Sequence, residues 1–135
     1  MISTKGRYAI RFMIDLAEHP EDIPVPLDAV AQRQGISKKY LEIVVKLLVS
    51  GKLVKGMSGK GGGYRLLRAP DKYTVYEILK ITEGTLAAVA CLTEGAEPCP
   101  RESECKTLPM WKRFDSLVHD FFKQITIADL VSGNI

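Results

Sequence analysis

The sequence predicts a mainly α-helical fold that carries one small β-hairpin and ends in a long amphipathic helix. Three observations predict it. Apolar residues recur at helical spacing along most of the chain, in blocks closed by Gly35, Gly51 and Gly84. The stretch KLVKGMSGKGGGYRLLR sets two short runs of apolar and basic residues on either side of a glycine-rich tip, the pattern of a hairpin. Over 110–125 an apolar stripe continues for about four helical turns.

Taken in order, Ser3 or Thr4 caps a first helix with Ile10, Met13, Leu16 and Ala17 on one face. Pro20 and Pro24 then break the chain. A short helix places Leu27, Val30 and Ala31 inward; Gly35 ends it, Ile36 is buried and Ser37 caps the next helix. That helix, KKYLEIVVKLLVS, turns Leu41, Val44, Val45 and Leu48 inward and stops at Gly51. Two helices joined by a tight glycine turn form a helix-turn-helix, with Ala31 as the small residue at the approach, Gly35 at the turn and Leu41 packing between. An ordinary helical hairpin would read the same to this point.

The following hairpin separates the two readings. Its strands KLVK and YRLLR and its tip carry Lys52, Lys55, Lys60, Arg65 and Arg68. A helix-turn-helix followed by a basic hairpin describes a winged helix, a reader of duplex DNA. The glycines are not a nucleotide loop: neither G-x-x-x-x-G-K-[ST] nor G-x-G-x-x-G is present, and they link two strands. Thr74 and Glu77 form a capping box for a helix through Ile78, Leu79 and Thr82 to Gly84. After Pro109 comes the long helix with Met110, Trp111, Phe114, Leu117, Val118, Phe121, Phe122 and Ile125, then one more turn near 126–130. The chain thus divides into a winged helix-turn-helix over 1–84, a cysteine-bearing loop over 85–109, and a long helix with a C-terminal tail over 110–135.

The 135 residues, 46% hydrophobic and 26% charged, suit one compact globular domain with an appended element. No apolar run approaches the roughly 20 residues that cross a bilayer, and Arg11 and Asp15 interrupt any signal-peptide segment. A cytoplasmic location and no membrane partner are expected. The net charge of +3 hides an asymmetry. Over 37–68, Lys38, Lys39, Lys46, Lys52, Lys55, Lys60, Arg65 and Arg68 face one acid, Glu42. Over 74–105, Glu77, Glu83, Glu94, Glu97, Glu102 and Glu104 outnumber Lys80 and Arg101. A basic block of this kind is either a solvated face or a surface for a polyanion, and the winged helix favours the polyanion.

All three cysteines lie in CLTEGAEPCPRESEC, at Cys91, Cys99 and Cys105. Pro98 and Pro100 bar a helix through its middle, and few apolar residues surround them, so the thiols are displayed on a loop. In a reducing cytosol an odd set argues against a disulfide framework. Thiolates at these spacings suit an iron–sulfur cluster, zinc or redox-active thiols. A Cys–His nucleophile would need His19 or His119 beside a thiol. His119 reads as a solvated residue of the long helix, and no paired acids or triad appears, so catalysis is not expected.

STKGRYAIRFMIDLA, PVPLDAVAQRQGISKKYLE, GKLVKG and GKGGGYRLLRAPDKYTVYEIL, with three cysteines shortly before Trp111, together resemble the IscR/NsrR family of winged-helix transcription regulators, from the first residues to about Leu130. The resemblance implies a homodimer bound to double-stranded promoter DNA. It also implies an iron–sulfur cluster on Cys91, Cys99 and Cys105, two-iron or four-iron, that reports iron, redox state or nitric oxide; members without these cysteines answer to a protein partner. Three positions depart from the family. Leu108 stands where the iron–sulfur assembly regulators carry a ligand histidine, Arg7 where the nitric-oxide sensors carry an aspartate, and Ser58 where the wing often has an arginine for a narrow minor groove. The fourth ligand is thereby left among Glu94, Glu102, Glu104, a partner-subunit residue and an exogenous thiol.

The expected DNA contacts are Ser37, Lys38, Lys39 and Tyr40 at the start of the recognition helix, Glu42 one turn in as an acceptor for a cytosine amine or a surface acid paired to Lys38 or Lys46, and Ser58 and Lys60 on the wing. The lysines hold phosphates and set affinity rather than sequence preference. The expected dimer contacts are Trp111, Phe114, Leu117, Val118 and Phe121.

Overall fold

A computed structural model describes residues 2–135. Among the described residues six α-helices run in the order α1 (Thr4–Ala17), α2 (Leu27–Gln34), α3 (Lys38–Ser50), α4 (Val75–Glu83), α5 (Leu108–Lys123) and α6 (Ile127–Ser132). Between α3 and α4 an antiparallel hairpin pairs β1 (Val54–Met57) with β2 (Gly63–Leu66), in the register Val54 to Leu66 and Met57 to Gly63. The fold is that of a winged helix followed by a long helix. The strands begin and end slightly inside or beyond the runs read from sequence, because Leu53, expected within the first strand, is a core residue ahead of β1.

The start of each helix follows local chemistry. Ser3 Oγ accepts from Gly6 N–H, and its own N–H and hydroxyl both donate to Glu83, tying the start of α1 to the end of α4. Ser37 Oγ accepts from Tyr40 N–H and opens α3. Gly35 adopts φ 64°, the left-handed turn that lets α2 and α3 cross with Ala31 and Leu41 between them. Gly51 ends α3 as expected, but not by a left-handed turn of its own. Its φ is −79°, and the left-handed residue is Lys52 at φ 59°. A Cβ on Gly51 would lie 2.5 Å from Ile81 Cδ1, so this glycine admits a close approach by α4.

One core joins α1, α2, α3, the hairpin and α4 through Phe12, Met13, Val30, Leu41, Val44, Leu48, Leu53, Leu66, Tyr73 and Ile78. Each large apolar side chain closed from water contributes about 1.5–3 kcal/mol. The Tyr73 hydroxyl, fully buried, donates to the Leu53 carbonyl at 2.6 Å and accepts from the N–H groups of Leu67 and Arg68, pinning the base of the hairpin. Val25 pairs with Tyr64 and extends the hairpin toward the α1–α2 loop.

The expected division at 84 and 110 does not separate independent cores. Ile127 of α6 is fully buried within the main core. Thr74 bridges Thr126, with Val75 N–H bound to the Ile125 carbonyl and Ile127 N–H to that of Tyr73. The C-terminal turn is thus structurally part of the winged helix. Its start is a full capping box, Thr126 with Asp129. The expected box at Thr74 is only half formed: Thr74 Oγ1 accepts from Glu77 N–H, while the Glu77 carboxylate is held by Arg68. No helix among the described residues is long and apolar enough to cross a membrane.

Candidate DNA interface and cysteine pocket

The start of α3 and the hairpin enclose an open groove of about 610 Å³ that gathers Lys38, Glu42 and Ser58, with Leu27, Met57 and Tyr64 among its walls. Lys38 Nζ lies 2.9 Å from Asp28 Oδ1, whose carboxylate raises the ammonium above its ordinary pKa; both groups are exposed, so the pair positions more than it stabilises. Sequence order alone does not single out Asp28, because its meeting with Lys38 depends on how α2 crosses α3. Glu42 is exposed and makes no ion pair with Lys38 or Lys46 among the described residues. Lys39 and Lys60 are exposed outside the groove. Tyr40 is half-buried, its ring edge-on to Tyr8 at 5.4 Å.

The basic block is smaller than it reads. Arg68 holds both oxygens of Glu77, at 2.7 and 2.8 Å, and stacks over Tyr73. Lys55 stands directly opposite Arg65 across the hairpin. Like charges so placed repel and are relieved by a facing anion.

The three cysteines line a single cavity of about 220 Å³ with Leu92, Ala96, Pro98 and Leu108 and two charged side chains, Glu102 and Lys112. All three thiols are free; Cys91 and Cys99 are exposed and Cys105 is half-buried. Short 3-10 turns, Ala90–Leu92 and Glu102–Glu104, shape the walls. Cys105 Sγ lies 3.4 Å from Thr107 Oγ1, whose hydroxyl, assisted by the neighbouring backbone N–H groups, holds the thiol below its ordinary pKa. Among the described residues no three His, Cys, Asp or Glu side chains close around a single metal ion. A zinc–sulfur bond spans about 2.3 Å, so this cavity suits a group of several atoms better than one ion. The donor set fits an iron–sulfur cluster in kind, since such clusters take thiolates. Leu108 is in the wall but supplies no donor, and Arg7, exposed, donates to Thr4 Oγ1 on α1.

The apolar stripe of α5 divides into two faces. Met110, Phe114, Leu117 and Phe121 are exposed, Leu117 by 62%. Trp111 and Val118, expected with them, are half-buried, on the side where Phe122 packs against Val75, Leu79 and Leu86. His119 is not the solvated residue expected. It packs edge-on against Tyr76 at 5.3 Å, with Nε2 buried 3.8 Å from Asp115 and without a hydrogen-bond partner among the described residues. The periodicity of α5 alone did not reveal that α4 covers this side.

Comparison with known proteins matches residues 2–133 to the Rrf2 model, described as an iron-dependent transcriptional regulator. The chain belongs to the Rrf2 family. A curated relative, the HTH-type transcriptional regulator IscR of Erwinia tasmaniensis, is 37% identical over 132 residues, 98% of this chain and 79% of its own. Among solved structures, CymR, the global cysteine regulator of B. subtilis, shares 37% identity with a TM-score of 0.79 over 98% of this chain and 96% of its own. T. potens IscR shares 32% identity with a TM-score of 0.79, over 100% of this chain and 88% of its own. Membership of the Rrf2 family makes this winged helix a DNA-binding transcriptional regulator, as the sequence resemblance implies.

Proposed function

We propose that the protein is a homodimeric, sequence-specific regulator whose binding to promoter DNA is modulated by an iron–sulfur cluster held by Cys91, Cys99 and Cys105. The observation that carries this reading is the convergence of all three thiols on one cavity at the foot of α5. A bound cluster supplies a group that is gained, lost or oxidised with the cell's iron, redox state or nitric oxide. The chain's own part is to hold it with thiolates, in a reducing cytoplasm, and to couple the loop to α5. Ala88 N–H donates to Asp115 Oδ1 of α5, and Lys80 of α4 meets Glu94, so ordering the loop bears on both helices.

DNA is read by the N-terminal end of α3 in the major groove, with Ser37, Lys38, Lys39, Tyr40 and Glu42 at the bases or phosphates. Ser58 and Lys60 of the wing meet the adjacent backbone. The dimer forms along Met110, Phe114, Leu117 and Phe121, a four-three-four spacing that makes a coiled-coil seam. Trp111 and Val118 support it from the domain side. Leu117→Glu is expected to give monomers in sedimentation; an intact dimer places the interface elsewhere.

A second reading is favoured by two observations. The lowered thiol pKa of Cys105 favours oxidation of that residue, and a structural neighbour, Staphylococcus aureus CymR, 29% identical to this chain, is solved in an oxidized form. In it the loop is a thiol switch without a cluster. Anaerobic purification followed by iron, sulfide and zinc analysis separates the two. Iron and sulfide in equal amount with visible absorbance support the cluster; colourless protein whose promoter affinity changes with thiol oxidation supports the switch.

A further inference from the structure

We propose that Glu102 supplies the fourth ligand of the cluster, its carboxylate completing the set begun by the three thiolates. This rests on the cluster reading above and deepens it. Two observations single out the residue. Among the side chains that line the cavity with all three cysteines, Glu102 is the one with a free oxygen donor: the others are apolar, apart from Lys112, whose ammonium has no lone pair to give. The backbone also puts it in register with two of the thiols. Glu102 N–H donates to the Cys99 carbonyl at 3.0 Å, and Cys105 N–H donates to the Glu102 carbonyl at 3.4 Å. In consecutive turns of this kind, side chains three residues apart lie one above the other. Cys99, Glu102 and Cys105 therefore share an edge of the cavity that Cys91 also lines.

The other acids are placed less well. Glu94 is directed to Lys80 at 3.4 Å and its side chain is 88% exposed. Glu104 borders a separate open hollow with Cys99 and Cys105 but not Cys91. Leu108 fills its part of the wall without a donor. Lys112 adds a positive charge beside an anionic group.

The experiment is anaerobic reconstitution of the full chain with ferrous iron and sulfide, read by iron per protomer, visible absorbance and circular dichroism, and the electron paramagnetic resonance of the reduced protein. Glu102→Gln is expected to retain at least about tenfold less iron after gel filtration, while Glu94→Gln and Glu104→Gln load like the unaltered protein. Glu102→Cys is expected to restore loading with shifted visible bands, because a thiolate replaces an oxygen donor. A coloured Glu102→Gln with an unchanged spectrum overturns the ligand assignment and leaves the cluster reading standing. Loss in Glu102→Gln that Glu102→Cys does not repair means a structural role and also overturns it. An unaltered protein that stays colourless and iron-free overturns both.

Discussion

Across 27–66, Val30, Leu41, Val44, Leu48, Leu53 and Leu66 are closed off from water, whereas across 87–107 not one side chain is buried. The DNA-reading unit owes its geometry to packing against α1, α4 and α6. The cysteine loop owes its geometry to short-range turns, such as Ala96 N–H to the Thr93 carbonyl and Glu104 N–H to the Arg101 carbonyl. Exposed bonds of this kind open with little free energy. The difference separates two duties. A recognition helix must keep one shape, whereas on the function proposed above the loop would shift shape with a ligand whose differential affinity is a few kcal/mol.

The largest test of that contrast is a pair of truncations. Leu41→Ala, in the centre of the reader, is expected to cost about 3 kcal/mol. Cys99→Ala, measured by the same urea unfolding on cluster-free protein, is expected to stay within about 0.5 kcal/mol. Equal losses would mean that the loop is part of the folded core.

Next comes Asp15, which ties α1 to α2 inside the reader. It is 2% exposed and accepts from Arg33 and Gln34 at 2.7–3.2 Å. Burial alone would raise its pKa, but the hydrogen bonds and the charge of Arg33 outweigh it and hold the carboxyl below its ordinary value. Asp15→Asn is expected to cost about 2 kcal/mol at neutral pH. Because the folded-state pKa is depressed, this contribution is present above about pH 4 and fades as pH falls through the folded value. Unfolding of the two proteins should therefore converge below about pH 4; a constant gap would show that shape, not charge, is at work.

A smaller effect sharpens the electrostatic side of the comparison. Lys60→Ala at the wing tip should flatten the logarithmic salt dependence of DNA affinity by about 0.9. Lys106→Ala, on the loop, should leave that slope unchanged. A change at Lys106 equal to that at Lys60 would place the loop on the DNA. The smallest effect is at Lys52, whose φ of 59° is unfavourable for a side chain. Lys52→Gly is expected to gain about 0.5 kcal/mol after the added chain entropy of glycine is set against the relief, measured by thermal unfolding.

Local rules carried much of this molecule in its sequence. Capping at Ser3, Ser37 and Thr126, the left-handed turn at Gly35 and the apolar spacing of α3 each depend on residues within about four positions, and all are read directly from the order of side chains. The grouping of the three cysteines on a polar loop before a long helix was legible in the same way, as was the winged helix itself. What only the tertiary structure decided are the meetings between elements. Lys38 is held by Asp28, Arg68 by Glu77, His119 by Tyr76, and Ile127 enters the core of the winged helix from the C-terminal tail. The outer face of α5 and the meeting of Glu102 with all three cysteines in one cavity lining belong to the same class. Charge and periodicity say which side chains can pair or be covered; helix crossing angles and loop closure, which depend on contacts tens of residues apart, select the partner.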